Sequence, residues 1–152
     1  MQVKAELPVE IEEIKWSPDD AFIMLINYKK SQIHLRNTRN TAIEMNLEGW
    51  TAQIQDEMMV GAVWAADSRH ILTFMDLQLR ATVWSLIDQQ VTAHIRGPKM
   101  VPPKGLDFSK NGKFLALLER KDRESKDQIS IYYSHGDFKK INVFEIPDLF
   151  DA

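Results

Sequence analysis

The chain has 152 residues, 44% of them hydrophobic and 27% charged, with a formal net charge of −3. This is the composition of a globular domain with a sizeable core, and the weak negative charge argues against nucleic-acid binding, which rests on clustered cations. The absence of cysteine excludes disulfides and thiolate metal ligands; no apolar run approaches the roughly 18 residues of a membrane-spanning helix; and the first six residues lack the apolar stretch of a secretory signal, so a cytoplasmic protein without membrane insertion is expected.

In chain order, residues 1–10 read as the end of a preceding structural unit. Three segments then share one pattern: Ile14-Lys15-Trp16-Ser17-Pro18-Asp19-Asp20, Ala62-Val63-Trp64-Ala65-Ala66-Asp67-Ser68, and Leu106-Asp107-Phe108-Ser109-Lys110-Asn111-Gly112. Each runs from an aromatic through a small residue to Asp or Asn and a turn residue. Apolar strands follow at Phe22–Ile26, Ile71–Phe74 and from Phe114. The aromatics are 48 and 44 residues apart, close to the period of about 40 to 45 residues of a four-stranded propeller blade. Second alternating strands follow at Gln32–Arg36, Ala81–Trp84 and Gln128–Tyr132. Asp or Asn followed by a small residue suits tight antiparallel connections. Fourth strands are expected at Val91–Ile95 and Ile141–Ile146. In the first repeat Thr41–Met45 and Trp50–Ile54 compete for that place. Gly97-Pro98 and Pro102-Pro103 are expected to interrupt pairing, since proline donates no ladder hydrogen bond.

The fold class expected is all-β: a partial β-propeller of about three four-stranded antiparallel blades. Its blades span 11–57, 58–100 and 101–147, with 148–152 the start of a truncated one. A blade is too small to bury both faces alone, so stacked blades cover each other. Trp16, Trp64 and Phe108 are the expected anchors of the apolar layers, with Trp84 as a further structural aromatic. Removing an anchor should cost about 3 to 5 kcal/mol. Three blades form an arc with two open end faces. That favours a segment of a longer propeller over closure by self-association.

The stretches Trp64-Ala65-Ala66-Asp67-Ser68-Arg69-His70-Ile71-Leu72 and Leu79-Arg80-Ala81-Thr82-Val83-Trp84-Ser85-Leu86 resemble the centrosomal and spindle-pole WD-repeat family. Gly105-Leu106-Asp107-Phe108, Gly112–Leu117, Ile14-Lys15-Trp16-Ser17 and Tyr28-Lys29-Lys30 agree in the same register. The resemblance implies a non-enzymatic scaffold at centrosomes, spindle poles or basal bodies, matching an N-terminal part of the family's propeller. It implies protein partners: a microtubule-anchoring coiled-coil protein of the SSX2-interacting type and a minus-end kinesin. The implied roles are microtubule minus-end anchoring, spindle assembly and cilium formation. Arg36 stands where the second repeat has Trp84, and the Gly-His and Trp-Asp dipeptides of strict WD repeats are absent, so their hydrogen-bonded network is expected to be missing.

No nucleophile elbow or phosphate-cradling glycine loop occurs. No two of His34, His70, His94 and His135 lie three or four apart, so no helical metal site is expected, and no cofactor or small-molecule substrate. Asp19, Asp67 and Asn111 recur with the repeat, which points to turn capping rather than catalysis. The expected partner-binding rim comprises the loops between second and third strands of each blade: Tyr28, Lys29, Lys30, then Asp76 and Arg80, then Glu119, Arg120, Lys121 and Lys126. An enzyme-accessory propeller and a ribosome-associated one are the alternative functions.

Overall fold

The computed structural model describes residues 10–38, 58–75, 80–102, 104–120, 127–134 and 137–145, and the backbone of 50–53. Twelve strands form three four-stranded sheets. The first holds β1 (Glu13–Trp16), β2 (Phe22–Asn27), β3 (Gln32–Asn37) and β4 (Trp50–Gln53). The second holds β5 (Met59–Trp64), β6 (His70–Met75), β7 (Arg80–Ser85) and β8 (Gln90–Arg96). The third holds β9 (Leu106–Phe108), β10 (Phe114–Arg120), β11 (Asp127–Tyr133) and β12 (Lys140–Glu145). Each strand pairs antiparallel with its neighbours in the chain. The described residues contain no helix. The architecture is a partial β-propeller.

The three sheets are copies of one register. Trp16 pairs with Ile23, Trp64 with Ile71 and Phe108 with Leu115. The connecting turns are built alike. Asp19 Oδ1 accepts from the Ala21 N–H at 3.0 Å, Asp67 Oδ1 from Arg69 at 2.8 Å and Asn111 Oδ1 from Lys113 at 3.0 Å. The residue before each pair's end is left-handed: Asp20 at φ 62°, Ser68 at 59° and Gly112 at 74°. In the first and third turns a serine hydroxyl also accepts from the first residue of the next strand, Ser17 from Phe22 and Ser109 from Phe114. These carboxylate and amide side chains close turns, as their recurrence implies.

Alternation along the strands gives every sheet two apolar faces, and the core lies between sheets. Phe22, Met24, Ile26, Ile33 and Leu35 of the first sheet pack against Met59, Ala62, Trp64, Ile71 and Met75 of the second. The second sheet's other face, with Leu72, Phe74, Ala81 and Val83, packs against Leu115, Leu117 and Tyr132, with Leu106 and Phe108 at the margin. Trp64 is 8% exposed and its ring lies 6.4 Å from that of Phe22. Its Nε1 also donates to the Lys15 carbonyl at 3.0 Å. Trp84 is half-buried, with Nε1 donating to Thr73 Oγ1 at 3.1 Å across β6 and β7.

Two expectations need revision, and one pair of alternatives is decided. Trp16 holds the anchor's register but is 57% exposed, because its side of the first sheet is the one turned away from the second. Pro98 does not end pairing: it bridges Glu119, and Gly97 and Lys99 exchange backbone bonds with Arg120 and Leu118. The segment thus extends the inner edge of the third sheet beyond β9. In the first sheet the fourth strand is Trp50–Gln53, paired with β3; Thr41–Met45 lies outside the described residues.

Candidate partner-binding surface

A meander of antiparallel strands puts its first and second connections at opposite ends of the sheet. The β1–β2, β5–β6 and β9–β10 turns therefore share one rim, and the β2–β3, β6–β7 and β10–β11 connections share the other. On the first rim neighbouring turns touch. The Asp19 N–H donates to Ser68 Oγ at 3.0 Å, and the Arg69 guanidinium donates to Asp19 Oδ2 at 3.0 Å while covering the Phe22 ring. A Cβ on Gly112 would stand 3.2 Å from the Ala66 Cβ. This rim is occupied by contacts between sheets.

Of the expected binding residues, the second rim carries Tyr28, Lys29, Lys30, Arg80 and Arg120. Tyr28–Ser31 is a tight turn closed by the Ser31 N–H to the Tyr28 carbonyl. Lys29 and Lys30 are exposed there. Tyr28 is half-buried, its backbone N–H donating to Glu12 and its hydroxyl to Glu13 Oε1 at 3.0 Å. Burial and the Glu13 carboxylate push the phenol above its ordinary range, so it stays a donor. Arg80 begins β7 and Arg120 ends β10, both exposed. Asp76, Lys121 and Lys126 lie outside the described residues.

Glu119 does not belong to that surface. It is 2% exposed, on the inward row of β10 after Leu115 and Leu117. The Ser130 hydroxyl donates to its Oε2 at 2.8 Å, the Lys140 ammonium at 3.1 Å, and the Tyr132 hydroxyl to its Oε1. Lys140 also lies 5.6 Å from the Tyr132 ring centre. Burial, then the Glu119 carboxylate, raise the Tyr132 phenol well above its ordinary value, so this hydroxyl too is a permanent donor. A lone carboxylate needs such company when buried. The sequence signal was available: Leu115, Leu117 and Glu119 share one strand face, so a glutamate there had to find partners inside.

The second turn holds a His–Asp pair, His70 Nδ1 lying 2.7 Å from Asp67 Oδ2 with the imidazole edge against Phe138. Burial works to raise the Asp67 carboxyl, but His70 and the Arg69 and His70 N–H groups outweigh it and hold it below 3.8. Asp19 is likewise lowered: the bonds from Ser17, the Ala21 N–H and Arg69 overcome its burial. A carboxyl depressed in the folded state stabilises it above its unfolded pKa, and that stability is lost as pH falls through the folded value. Acidification below about pH 4 should therefore lower the melting temperature. Asp67→Asn, which reproduces the amide of the third turn, should flatten that acid limb; an unchanged pH profile of melting in this variant would count against the assignment.

Among the described residues no three His, Asp or Glu side chains are grouped to hold a metal ion, and no helix is long and apolar enough to cross a membrane.

No protein-family model matches the chain. The mouse (Mus musculus) WD repeat-containing protein WRAP73 is 32% identical over 123 residues, which is 81% of this chain and 25% of that protein. The chain thus spans about a quarter of the length of the relative it matches. Among solved structures, a eukaryotic initiation factor superposes with a TM-score of 0.62 at 14% identity, over 95% of this chain and 34% of that one. Hsv2 of Kluyvelomyces marxianus superposes with a TM-score of 0.52 at 12% identity, over 88% and 38%. At these identities the two structures speak for the fold alone. Over most of its length, then, the chain is similar in sequence to a WD-repeat protein, and it carries that likeness on three register-matched four-stranded sheets.

Proposed function

We propose that the chain is part of a non-catalytic interaction scaffold that holds protein partners on the rim of its β2–β3-type connections. The observation that carries this reading is the 32% identity to a WD-repeat protein across most of the chain. The geometry supports it. Sheets packed face to face hold the strand ends of this rim in fixed relation, and loops carried on a rigid scaffold are where binding residues concentrate. The opposite rim carries contacts between turns, and among the described residues Lys29, Lys30, Arg80 and Arg120 are exposed cationic side chains on this one.

The finer reading is a scaffold of the centrosome, spindle pole or basal body, acting in microtubule minus-end anchoring, spindle assembly and cilium formation. Its partners would be a microtubule-anchoring coiled-coil protein and a minus-end kinesin. Cationic rim residues suit glutamates at the e and g positions of a coiled coil, where glutamate and lysine are both common. Proximity labelling in dividing cells tests this. The wild-type chain should label spindle-pole proteins. A variant with Lys29, Lys30, Arg120 and Lys121 changed to Glu should lose them while keeping its melting temperature. Identical labelling by the folded variant would remove the rim from the proposal, and labelling without any spindle-pole protein would remove the location.

A further inference from the structure

The β1–β2, β5–β6 and β9–β10 turns are alike except at one peptide bond. Asp19, Asp67 and Asn111 hold the same place, but Asp20 and Ser68 follow the two aspartates while Gly112 follows Asn111. The third turn requires glycine there: Gly112 has φ +74°, and a Cβ on it would stand 3.2 Å from the Ala66 Cβ of the neighbouring turn. It also requires a side-chain oxygen at 111. Asn111 Oδ1 accepts from the Ser109 hydroxyl at 2.8 Å and from the Lys113 N–H at 3.0 Å, the two bonds that Asp19 Oδ1 takes from Ser17 and Ala21. Together these demands place the chain's one Asn-Gly pair in the turn, with the asparagine exposed. Glycine carries no side chain to shield its nitrogen, so the amide carbon of Asn111 lies open to attack by the next main-chain nitrogen.

We infer that Asn111 is a site of spontaneous deamidation, gated by closure of the β9–β10 turn, whose aspartate product the turn accepts. The Gly112 nitrogen gives its proton to solvent base and bonds to Asn111 Cγ. The bond from Cγ to Nδ2 breaks, and the side-chain nitrogen leaves as ammonia. Water then opens the cyclic imide. Opening at Cγ gives aspartate; opening at the main-chain carbonyl gives isoaspartate, which inserts an extra carbon into the main chain. The closed turn withholds the nucleophile. The Gly112 N–H donates to the Ser109 carbonyl at 2.8 Å, and the Gly112 carbonyl accepts from the Ser134 hydroxyl. Turning the Gly112 nitrogen onto Cγ breaks this set together with the bonds to Oδ1, so the reaction waits on local opening. Aspartate fits the closed turn because the other two turns already use it. Its charge arrives between the exposed Lys110 and Lys113.

The inference concerns this turn alone and stands apart from the binding rim. The full 152-residue chain is incubated in mildly alkaline, isotopically labelled water, native and in unfolding urea, and peptide mapping by mass spectrometry follows the label at Asn111. Conversion should be at least about tenfold slower in the native chain than in urea. Ser109→Ala, which removes one bond to the amide oxygen, should speed the native reaction and leave the urea rate unchanged. Asn111→Asp should melt at the wild-type temperature. The urea comparison stands even where circular dichroism shows that Ser109→Ala has lost its β signal. Equal rates in native buffer and urea, no conversion in urea, a folded Ser109→Ala that reacts no faster, or an Asn111→Asp variant that melts well below the wild type each overturns the proposal.

Discussion

Trp64→Ala should remove about 3 to 5 kcal/mol of stability, the range for truncating a large buried aromatic, whereas Trp16→Ala in dilute solution should stay within about 0.5 kcal/mol. The two residues share a register and a sequence context, so only their surroundings differ. Trp64 has the Phe22 ring on one side, the side chains of Met24 and Leu35 in the same cluster, and the Lys15 carbonyl for its N–H. Its removal opens a cavity between two sheets and leaves that carbonyl without its donor. Trp16 is more than half in water. Urea unfolding curves for both variants make the comparison. Equal losses would mean that the sheet-to-sheet layer is not where the stability lies.

Glu119→Ala should cost about 2 to 4 kcal/mol, combining unsatisfied buried hydroxyls with the loss of a buried ionic partner. A glutamate on an exposed loop, by contrast, would change stability by about 0.5 kcal/mol or less. The variant strands the hydroxyls of Ser130 and Tyr132, both buried, at the junction with the second sheet. Lys140→Ala should cost less, because Lys140 is 40% exposed at its side chain while Glu119 keeps its two hydroxyl donors. Thermal melts of the two variants give the order, and a neutral Glu119→Ala would return that residue to the surface.

The repeat was legible because its landmarks are local. An aromatic, a small residue, a capping Asp or Asn and a following apolar strand all lie within ten residues, so the turn chemistry sets the hairpin without help from the rest of the chain. The strands Gln32–Asn37 and Asp127–Tyr133 follow from alternation, and Phe22–Asn27 and His70–Met75 from short apolar runs bounded by turn residues. What the sequence left open depends on contacts between sheets. Nothing near Trp16 distinguishes it from Trp64; the difference is which face has a neighbour. Glu119 sits beside a run of charges that reads as solvated, yet its strand parity turns it inward. Pro98 looked like a breaker, but it faces Glu119 at a non-hydrogen-bonded position, where its missing N–H is not called on; the bonds run from the Lys99 N–H to the Leu118 carbonyl and from the Arg120 N–H to the Gly97 carbonyl. Of the expected binding rim, the exposure of Lys29, Lys30, Arg80 and Arg120 follows from their place at strand ends, which any hairpin reading gives.

Every ladder in these three sheets joins strands adjacent in the chain. Loops that must close before a pairing forms are therefore short, and the entropy of closing them is small. Each sheet can assemble as its own hairpins emerge from the ribosome, N-terminal first, and the nesting of one sheet on the next comes afterwards. Substitutions in the Asp19, Asp67 and Asn111 turns should thus slow refolding, while those at Trp64 should chiefly hasten unfolding.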